Sequence, residues 1–393
     1  MKILILTDYF SPSIKSGAII MADLAHELAK IKCEPIVISF SEKQKPFIKS
    51  WSDGGVKVIS IRTEDRTGNR MRRLWAEVNY SRKVISAIKK SNITAFDGLI
   101  CYSPSIFYGS AINWLKSHFS LKCYLIIRDI FPKWAIEAGI LRKGLFYLFL
   151  KYKEEQLYKS ADKIGIEAKS DLIYFSQIVG RAKLEVLDNW GKSFDRPSSL
   201  NHKDPRLFSK KYFNIIYGGN IGDAQDLLTL LRNIDQDRYT SKIKIHIFGE
   251  GTQLSRIQKE ISSANMTFIK TYKPVDRDQF IEIAKNADAG LISLNSQLRG
   301  NNYPLKMIGY LQVGLPILAS VNRGNEVIDL IESENIGYVS LADDKEGINS
   351  NIGLLLENPS RNKILSKNAE MIFAERFTGA LAARKVLNFF NQI

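Results

Sequence analysis

The residues from Asn301 to Ala319, NNYPLKMIGYLQVGLPILA, carry the clearest chemical signal in the chain. The pattern predicts a loop, a short helix with Lys306 near its start, and a buried strand that begins after Gly314 and Pro316. A loop that leads into a helix N-terminus in an α/β unit presents free backbone N–H groups to an anion. With the ammonium of Lys306 beside it, this segment is predicted to bind the diphosphate of a nucleotide.

A second candidate is the glycine-rich segment Gly218-Gly219-Asn220-Ile221-Gly222, which lies between a predicted strand and a predicted helix. Glycine lets the backbone approach a ligand closely, and a helix that starts there attracts phosphate. The alternative is a tight turn without a ligand. Phe248-Gly249-Glu250-Gly251 ends another predicted strand, and Glu250 would lie within reach of the same ligand, although nothing in the sequence requires that role.

Two segments in the first half of the chain are candidates for binding a second substrate. Gly17, in Ser16-Gly17-Ala18, would let an acceptor or a phosphate come close to the start of a predicted helix. The alternative is a helix start that Ser16 caps. Arg128 and Asp129 end a predicted strand, where charged residues are more often functional than part of a core. A solvated Arg128–Asp129 pair is the alternative there.

Short apolar runs alternate with amphipathic helical patterns, which predicts an α/β fold of βαβ units and parallel sheets. The predicted strands are Lys2–Thr7, Pro35–Phe40, Val56–Ile61, Gly98–Tyr102, Cys123–Ile127, Lys163–Glu167, Leu184–Leu187, Phe213–Tyr217, Lys244–Phe248, Met266–Ile269, Ala289–Ile292, Ile317–Ser320 and Gly337–Ser340. The predicted helices include Ala18–Lys30, Met71–Lys90, Ser105–Ser117 and Gly379–Asn391.

With 393 residues the chain is too long for one ordinary core, so two domains are expected. Between Gly191 and Lys211 proline, serine and asparagine cluster and the apolar periodicity lapses, which indicates a boundary. The predicted organisation is a Rossmann-like domain at 1–190, a linker at 191–211, a second such domain at 212–375, and a C-terminal helix at 376–393 that crosses back to the first domain. Two such domains leave a crevice between the carboxyl ends of their strands.

The formal net charge of +15 is concentrated in the first half of the chain. Residues 1–200 hold 32 Lys and Arg against 20 Asp and Glu, whereas the remainder holds 24 against 21. A basic half suggests an anionic partner such as a phosphorylated substrate or an anionic lipid surface. Nucleic acid is disfavoured because no nucleic-acid-binding motif is present and the basic residues are dispersed. The alternative is a generally basic, solvated surface.

The lack of a predicted signal peptide or membrane span, together with the cysteine usage, favours a cytoplasmic protein. The apolar run from Leu145 to Leu150 is too short to span a bilayer, and the apolar start of the chain reads as a strand rather than a signal peptide. Cys33, Cys101 and Cys123 have no metal-ligand spacing and are predicted to be thiols in a reducing compartment.

A helix around residues 141–153 combines aromatic and basic residues, as does an interfacial helix that docks on anionic lipid. Its candidate membrane-docking residues are Arg142, Lys143, Lys151 and Lys153. The alternative is that Phe146, Leu148 and Phe149 face the core of the first domain.

Three of these segments together resemble family-4 retaining glycosyltransferases. Arg128-Asp129-Ile130-Phe131-Pro132 is similar to the Arg-Asp-Leu-Trp-Pro segment of a bacterial group that includes L-fucosamine transferases of O-antigen and capsule synthesis. The segment from Tyr217 to Gln225 resembles the Gly-Asn-Ile-Gly-x-Ala-Gln turn of that group. Pro304-Leu305-Lys306, followed by Tyr310-Leu311 and Gly314-Leu315-Pro316, resembles its donor-site segment. The similarities occur in the same order and cover essentially the whole chain.

The resemblance implies the GT-B architecture, in which two Rossmann-like parallel-sheet lobes face each other across a crevice. It implies transfer of a sugar, such as an N-acetylated deoxyhexosamine, from a nucleotide-sugar donor that is expected to be UDP-linked. Transfer would occur with retention of configuration and without a metal or other cofactor. The acceptor would be a lipid-linked saccharide or an oligosaccharide at the cytoplasmic face of the inner membrane. The leaving diphosphate gathers negative charge, which Lys306 and helix N–H groups would stabilise.

The resemblance assigns the candidate residues to three roles. The catalytic residues are expected to be Lys306, Asn301 and Asp129. The donor-binding residues are expected to be Gly218, Gly219, Asn220, Gly222, Glu250, Arg299, Asn302, Pro304, Leu305 and Glu326. The acceptor-binding residues are expected to be Ser16, Gly17 and Arg128.

The sequence departs from the family at two donor-site positions. Most members have two glutamates there, one that contacts the donor sugar and one that contacts the ribose, but this chain has Asn301 and Gly309. A lost hydrogen bond to a charged acceptor costs about 1.5–3 kcal/mol, so another group must recognise the ribose or its binding is weaker. Glu326 is a candidate, and an acid in a helix first turn is its alternative role.

Two other function classes remain open at this stage. One is a catalytically idle subunit that binds nucleotide sugar, which the missing glutamates favour. The other is a sugar-nucleotide epimerase of the same fold, which would need histidine and acidic groups together. A third class, an NAD oxidoreductase, is disfavoured because no Gly-x-Gly-x-x-Gly follows the first strand.

Overall fold

The computed structural model describes residues 1–13, 15–42, 47–64, 70–91, 93–137, 139–192, 208–298 and 303–391. The chain divides into two compact units. Unit 1 consists of Met1–Ser193 together with Gly379–Ile393, and unit 2 consists of Phe194–Thr378.

Unit 1 is built on an eight-stranded sheet with the strand order β3-β4-β2-β1-β5-β6-β7-β8. Its strands are β1 (Lys2–Leu6), β2 (Glu34–Ser41), β3 (Ile48–Asp53), β4 (Val56–Arg62), β5 (Gly98–Ser103), β6 (Cys123–Ile127), β7 (Lys163–Ile166) and β8 (Leu184–Val186). Neighbouring strands pair in parallel except for β3, which runs antiparallel to β4 at the edge.

The helices of unit 1 include one that the end of the chain contributes. They are α1 (Ser16–Lys30), α2 (Arg70–Val78), α3 (Tyr80–Lys90), α4 (Gly109–Phe119), α5 (Lys133–Glu137), α6 (Leu145–Ser160), α7 (Asp171–Val179) and α16 (Gly379–Asn391). Two 3₁₀ turns lie at Ile106–Tyr108 and Arg181–Lys183. At the start of α16, the backbone N–H of Gly379 donates to the carbonyl of Gly191 at 2.9 Å, and Phe390 lies against Gly98.

Unit 2 is built on a six-stranded, fully parallel sheet with the strand order β11-β10-β9-β12-β13-β14. Its strands are β9 (Phe213–Gly218), β10 (Ile243–Phe248), β11 (Ile269–Tyr272), β12 (Ala289–Ser293), β13 (Ile317–Val321) and β14 (Gly337–Leu341). Its helices are α8 (Leu227–Asn233), α9 (Gln236–Tyr239), α10 (Leu254–Ser263), α11 (Arg277–Ala284), α12 (Leu305–Gln312), α13 (Glu326–Ser333), α14 (Lys345–Glu357) and α15 (Pro359–Arg376).

The strands form because β-branched and aromatic residues occupy positions that are buried on both faces of each sheet. In β9, Ile215 and Tyr217 pack on one face of the sheet and Ile216 packs on the other. The two apolar faces are covered by different helices, so each unit has the layered α/β arrangement that the sequence predicts.

The order of strands reverses once in each sheet, between β1 and β5 in unit 1 and between β9 and β12 in unit 2. In open α/β sheets, ligands bind outside the carboxyl ends of the strands at this reversal. The segments after β1 and β5, and those after β9 and β12, are therefore the first places to search for a site.

The structure differs from the predicted elements in several places. The predicted helix Ser105–Ser117 begins as a 3₁₀ turn at Ile106–Tyr108, and the α-helix that follows is Gly109–Phe119. The antiparallel edge strand β3 was not predicted, and β11 begins at Ile269 where the sequence predicts a strand over Met266–Ile269. The predicted helix Met71–Lys90 is interrupted at Asn79, which separates α2 from α3. No helix in the described part of the chain is long and apolar enough to cross a membrane.

Candidate functional site

The turn that follows β9 is built from two glycine segments that lie backbone against backbone. Gly219 has φ +115°, and its N–H donates to the carbonyl of Phe248 at 2.9 Å. A Cβ at Gly249 would overlap the carbonyl oxygen of Gly219, and a Cβ at Gly251 would overlap that of Ile221. Glycine is needed here because one turn fills the space beside the other. The packing of the two turns thus explains both predicted glycine segments.

Polar groups hold the rest of the turn in shape. Gln225 Oε1 accepts hydrogen bonds from Asn220 Nδ2 at 2.8 Å and from the Gly222 N–H at 3.3 Å. The Ser293 hydroxyl, at the end of β12, donates to the Gln225 carbonyl at 2.6 Å. The turn continues as far as Asp226, and α8 begins only at Leu227. The predicted helix start directly after the glycines is therefore displaced by several residues.

Lys306 lies in the first turn of α12, next to this glycine turn. Pro304 has extended backbone angles at the helix N-cap, and Leu305 is the first helical residue. The Cε of Lys306 lies 3.7 Å from the position that a Cβ of Gly219 would occupy. Its Nζ is buried and has no hydrogen-bond partner among the described residues. Instead, the ammonium lies 3.7 Å from the centroid of the Tyr217 ring.

This environment changes the chemistry of the Lys306 amine. Burial lowers the pKa of Lys306 from 10.5 to about 7, because the charged form has lost its hydration. A buried amine without an acceptor is costly unless a ligand supplies the missing negative charge. The arrangement is therefore suited to an anion that arrives beside Gly219.

The end of β9 is anchored to α12 by Tyr310. Its hydroxyl accepts from the Gly218 N–H at 3.1 Å and donates to the Leu291 carbonyl of β12 at 3.2 Å. Gly290 faces the Tyr310 ring, and Gly218 faces the Phe280 ring, so that a Cβ at either position would overlap the ring. Tyr310 thus ties the two central strands of unit 2 to the helix that carries Lys306.

The contacts of the remaining donor-site candidates do not by themselves indicate a ligand. Glu250 is exposed, and its carbonyl accepts from the Ile221 N–H at 2.9 Å. Glu326 is the first residue of α13, and its carboxylate accepts a hydrogen bond of 3.4 Å from the Tyr303 hydroxyl. At Gly309, an added Cβ would lie 3.1 Å from Cδ1 of Ile281. Arg299, Asn301 and Asn302 lie outside the described residues.

The corresponding edge of unit 1 carries Arg128 and Asp129 at the end of β6. The Arg128 guanidinium donates to the carbonyls of Ile127 and Asp188 at 3.1 and 3.2 Å, and its carbon lies 5.3 Å from the Trp190 ring. Its Nε is buried and has no partner among the described residues. The hydrogen bonds of Arg128 are therefore to the backbone rather than to Asp129.

Asp129 follows the end of β6, and the positive charges of Arg73 and Arg128 act on its carboxylate. Desolvation by the surrounding protein raises the pKa of Asp129 above its usual value, and the charges of Arg73 and Arg128 oppose that rise. Arg73, on α2, also donates to Glu77 at 2.7 Å. Sequence reasoning missed Arg73, because nothing in its local pattern shows that α2 brings it to this edge.

Gly17 and Ser16 lie at the start of α1 on the same edge. A Cβ at Gly17 would lie 2.9 Å from Cε1 of Tyr102. Tyr102 belongs to β5, the strand next to β1 in the sheet. Glycine at position 17 therefore allows the start of α1 to pack closely against the Tyr102 ring. Ser16 is the first helical residue, the N-cap is Lys15, and the helix start has no side-chain cap. The alternative role of Ser16 as a helix cap is thus wrong.

The predicted membrane-docking helix is α6, and its apolar residues do not enter the core as a group. Leu145, Phe146, Leu148, Phe149 and Tyr152 are exposed by 88, 45, 60, 40 and 58%. The alternative that Phe146, Leu148 and Phe149 face the core is therefore wrong. Arg142 and Lys143 are exposed nearby. Lys151 instead pairs with buried Glu154, and Lys153 donates to Gln156 at 3.2 Å.

The described histidines do not form a catalytic set. His246 is buried between Tyr272 and Asn214, with ring nitrogens 2.9 and 3.1 Å from their side chains, and desolvation lowers its pKa to about 4. His26 and His118 lie in unit 1, where His118 stacks on Trp114. His202 lies outside the described residues. This arrangement gives no support to an epimerase.

Similarity to solved structures identifies the architecture. Sucrose-phosphate synthase from Thermosynechococcus elongatus matches with a TM-score of 0.77, 12% identity and coverage of 100% of this chain and 98% of that chain. Anabaena HepE in complex with UDP and glucose matches with a TM-score of 0.70, 12% identity and full coverage of both chains. The chain has the GT-B fold.

Sequence comparisons point to the same class of protein. Residues 199–371 match the family model "Glycosyl transferases group 1". A curated relative, the probable glycosyltransferase WbjE of Pseudomonas aeruginosa, is 22% identical over 233 residues, and the match covers 57% of each chain. The matched region thus spans little more than half the length of this relative. Together, these matches support a glycosyltransferase of the GT-B type.

Proposed function

We propose that the chain is a retaining glycosyltransferase of family 4 that transfers a sugar from a nucleotide-sugar donor. The observation that carries this proposal is the buried Nζ of Lys306, which lacks an acceptor among the described residues and lies beside the glycine turn after β9. A diphosphate would supply the negative charge that this amine lacks. HepE, whose structure holds UDP and glucose, has the same fold and supports a UDP-linked donor.

In this proposal, Lys306 stabilises the charge that develops on the leaving diphosphate as the glycosidic bond breaks. Gly219, which lies beside Lys306, allows the phosphates to approach the backbone, and Tyr310 holds the end of β9 against α12. Because a lysine ammonium performs the charge stabilisation, the reaction needs no metal ion. Activity is then expected to be unchanged after exhaustive treatment with EDTA.

In unit 1, Asp129 would accept a hydrogen bond from the acceptor hydroxyl and orient it for attack. Arg128, held by two backbone carbonyls, and Gly17, at the start of α1 beside Tyr102, would contact the rest of the acceptor. Attack on the face from which the phosphate departs gives retention of the anomeric configuration. The configuration of the product, read by NMR, tests this part of the proposal, and inversion would contradict it.

The resemblance to L-fucosamine transferases and the match to WbjE favour a role in bacterial O-antigen or capsule synthesis. We therefore propose an N-acetylated deoxyhexosamine as the sugar and a lipid-linked saccharide as the acceptor. A screen of nucleotide-sugar donors against lipid-linked acceptors, with products detected by mass spectrometry, is the decisive experiment. UDP-N-acetyl-L-fucosamine is the first donor to include.

Two lysine variants complete the screen. Lys306→Ala is expected to abolish transfer while the protein stays folded, whereas Lys273→Ala, which removes an exposed lysine of unit 2, is expected to have no effect. Near-normal activity of the Lys306 variant would remove this residue from its role. Nucleotide-sugar binding without transfer from any donor would favour an idle subunit, for which Gly309, in place of an acid, is the supporting observation.

We also propose that α6 docks the chain on the cytoplasmic face of the inner membrane. Leu145, Leu148, Phe149 and Tyr152 repeat at helical spacing and are exposed. The exposed cations Arg142 and Lys143 beside them complement anionic lipid headgroups. Lys151 and Lys153 are engaged by other side chains and are expected to contribute less.

Flotation with anionic vesicles tests this docking surface. Leu148→Asp and the pair Arg142→Gln with Lys143→Gln are each expected to reduce the bound fraction, and neutral vesicles are expected to bind little. Ile364→Asp is the matched control, because Ile364 is also an exposed apolar helix residue, at 48%, but lies in unit 2. Unchanged flotation of both α6 variants would overturn the docking surface.

A further inference from the structure

Tyr217, in unit 2, lies beside Lys306 and the glycine turn and has no role in the mechanism proposed above. It is fully buried near the end of β9, and its ring packs in the apolar core beneath the sheet. The ring centroid lies 3.7 Å from Nζ of Lys306. Its hydroxyl donates a hydrogen bond of 2.6 Å to the carbonyl of Asn220 in the glycine turn. Tyr217 therefore contacts both parts of the proposed diphosphate site.

We propose that Tyr217 is a positioning residue that holds the Lys306 ammonium beside the glycine turn, ready for the nucleotide diphosphate. The proposal deepens the proposed glycosyltransferase function and rests on it for the identity of the ligand. The ring face carries partial negative charge and attracts a cation, most strongly when water is excluded. It is the partner that the structure provides for Nζ among the described residues.

The ring has a second effect, on the charge of the amine. Burial lowers the pKa of Lys306. A titratable group that contacts the amine is Tyr217 of β9. On α12 itself, the pKa of Tyr310 is raised mainly by burial and also by Tyr217. The attraction of the ring for the ammonium favours the protonated form. Without the ring, more of the amine would be neutral at physiological pH and would attract phosphate poorly.

The hydroxyl of Tyr217 has a separate task. Its bond to the Asn220 carbonyl fixes the ring to the turn, so that the turn, the ring and the ammonium keep one geometry. Phenylalanine would retain the ring face and lose this bond. Leucine would retain much of the apolar volume and lose both. The two substitutions therefore separate the effect of the ring from the effect of the hydroxyl.

Tyr239 offers a matched control in the same core. It is also buried, at 1% exposure, and its hydroxyl also donates to a backbone carbonyl, that of Asn349, at 2.6 Å. It belongs to the same apolar cluster as Tyr217, but Lys306 has no ring contact with it. Tyr239→Leu is expected to lower thermal stability as Tyr217→Leu does, without changing Lys306.

The test is an NMR titration of protein that carries ¹³C at the lysine Cε, without ligand. The Lys306 signal is assigned as the one missing from Lys306→Arg. Tyr217→Leu is expected to lower the pKa of Lys306 by about one unit, while Tyr217→Phe and Tyr239→Leu leave it unchanged. If Tyr217→Leu does not fold, Tyr217→Met replaces it. Equal pKa values of Lys306 in the wild type and in the Leu or Met variant would overturn the proposal.

UDP binding, measured by calorimetry between pH 6 and pH 9, forms the second arm. In the wild type, UDP affinity is expected to fall as pH rises and Lys306 loses its proton. In Tyr217→Leu this fall is expected to begin at lower pH, whereas a purely structural defect would weaken binding equally at every pH. If the titration shows the shift in Lys306 but the wild type binds no UDP, the proposed function fails and the role of Tyr217 in holding Lys306 stands.

Discussion

The carboxyl-end edges of the two sheets handle charge in opposite ways. In unit 1, the charged groups have partners: Arg73 pairs with Glu77, Arg128 binds two backbone carbonyls, and Asp129 is influenced by both arginines. In unit 2, the buried amine of Lys306 has an aromatic ring and no acceptor among the described residues. Among the described residues, the edge of unit 2 thus keeps a buried ammonium without an acceptor, whereas each charged group named at the edge of unit 1 has a polar or charged neighbour.

This difference indicates what each edge is built to bind. An uncompensated buried charge costs folding free energy, and such groups are concentrated at functional sites. The edge of unit 2 therefore suits a ligand with full negative charge, such as a diphosphate. The compensated edge of unit 1 suits a ligand whose reacting group is neutral, such as a sugar hydroxyl, because the carboxylate of Asp129 can accept its hydrogen bond.

The contrast between the two edges is tested most directly by measuring how much the buried charge of Lys306 lowers the free energy of unfolding. Lys306→Met is expected to stabilise the unliganded protein at low pH by as much as about 5 kcal/mol, the value of a pKa lowered from 10.5 to about 7. Methionine keeps the length of the side chain and removes the buried charge. Thermal or urea unfolding of unit 2 at several pH values is the measurement.

The pH dependence of this gain has a definite sign. Between pH 7 and about 10.4, the ordinary lysine pKa, the folded protein binds fewer protons at Lys306 than the unfolded chain does. The stability of the wild type therefore rises with pH across this window. The advantage of the Met variant is expected to be full below pH 7 and to vanish near pH 10. Destabilisation by Lys306→Met at pH 6 would show that the amine has a hydrogen-bond acceptor in the folded protein and would end the contrast between the edges.

The second prediction concerns the carboxylate that stays available in unit 1. Asp129→Asn is expected to reduce kcat/KM for transfer by roughly 10- to 100-fold, the value of a hydrogen bond to a charged group, and to leave UDP binding intact. In the wild type, kcat/KM is expected to fall as acid protonates Asp129, at a pH above that of an ordinary aspartate, because its pKa is raised. The Asn variant should lack this fall.

Asp97→Asn is the matched control for that experiment. Asp97 lies just before β5, at the amino end of the same sheet, where its carboxylate accepts from the backbone N–H of Lys2. It is expected to leave the pH profile unchanged. Loss of UDP binding in Asp129→Asn would instead place Asp129 in the donor site and would remove the division of roles between the edges.

Most of the fold is predictable from the sequence, because buried parallel strands leave continuous apolar runs. Two edge strands are exceptions. The strand β3, IKSWSD, is polar and largely exposed, so its apolar signal is weak. The strand β11 begins later than predicted, since its residues Lys270 and Thr271 are polar while the apolar residues before it, such as Met266, belong to the turn. Edge strands bury one side less, and periodicity detects them poorly.

The candidate site was predictable only in part. Lys306 and the glycine turn could be found because a loop–helix junction and a glycine cluster are local patterns. The contacts of Tyr217 with Lys306 and of Arg73 with the surroundings of Asp129 join segments that are far apart in sequence. No local pattern reports such a contact. The role of Glu326 and the domain boundaries at 190, 211 and 375 stay predictions.

The smallest expected effect concerns the influence of Arg73 on the pKa of Asp129 in unit 1. Arg73→Gln removes an i,i+4 pair in which the arginine side chain is 52% exposed and the Glu77 side chain is 11% exposed. Pairs at this spacing contribute about 0.3–0.5 kcal/mol, and glutamine can still donate a hydrogen bond to Glu77. The positive charge of Arg73 also lowers the pKa of Asp129, which desolvation raises. Removal of the charge is therefore expected to move the acid fall of kcat/KM to higher pH, with little change in melting temperature and no change in rate above pH 8.

Lys159→Gln is the control for this small effect, because it breaks another i,i+4 pair of unit 1, with Glu155, and is expected to leave the profile in place. Arg73→Lys should restore the wild-type profile, since it keeps the charge. If Arg73→Gln lowered the rate equally at all pH values, Arg73 would contact the acceptor itself. The charges at the edge of unit 1 would then bind a ligand directly, as Lys306 is proposed to do in unit 2. The two edges would differ only in how fully their charges are paired in the folded protein.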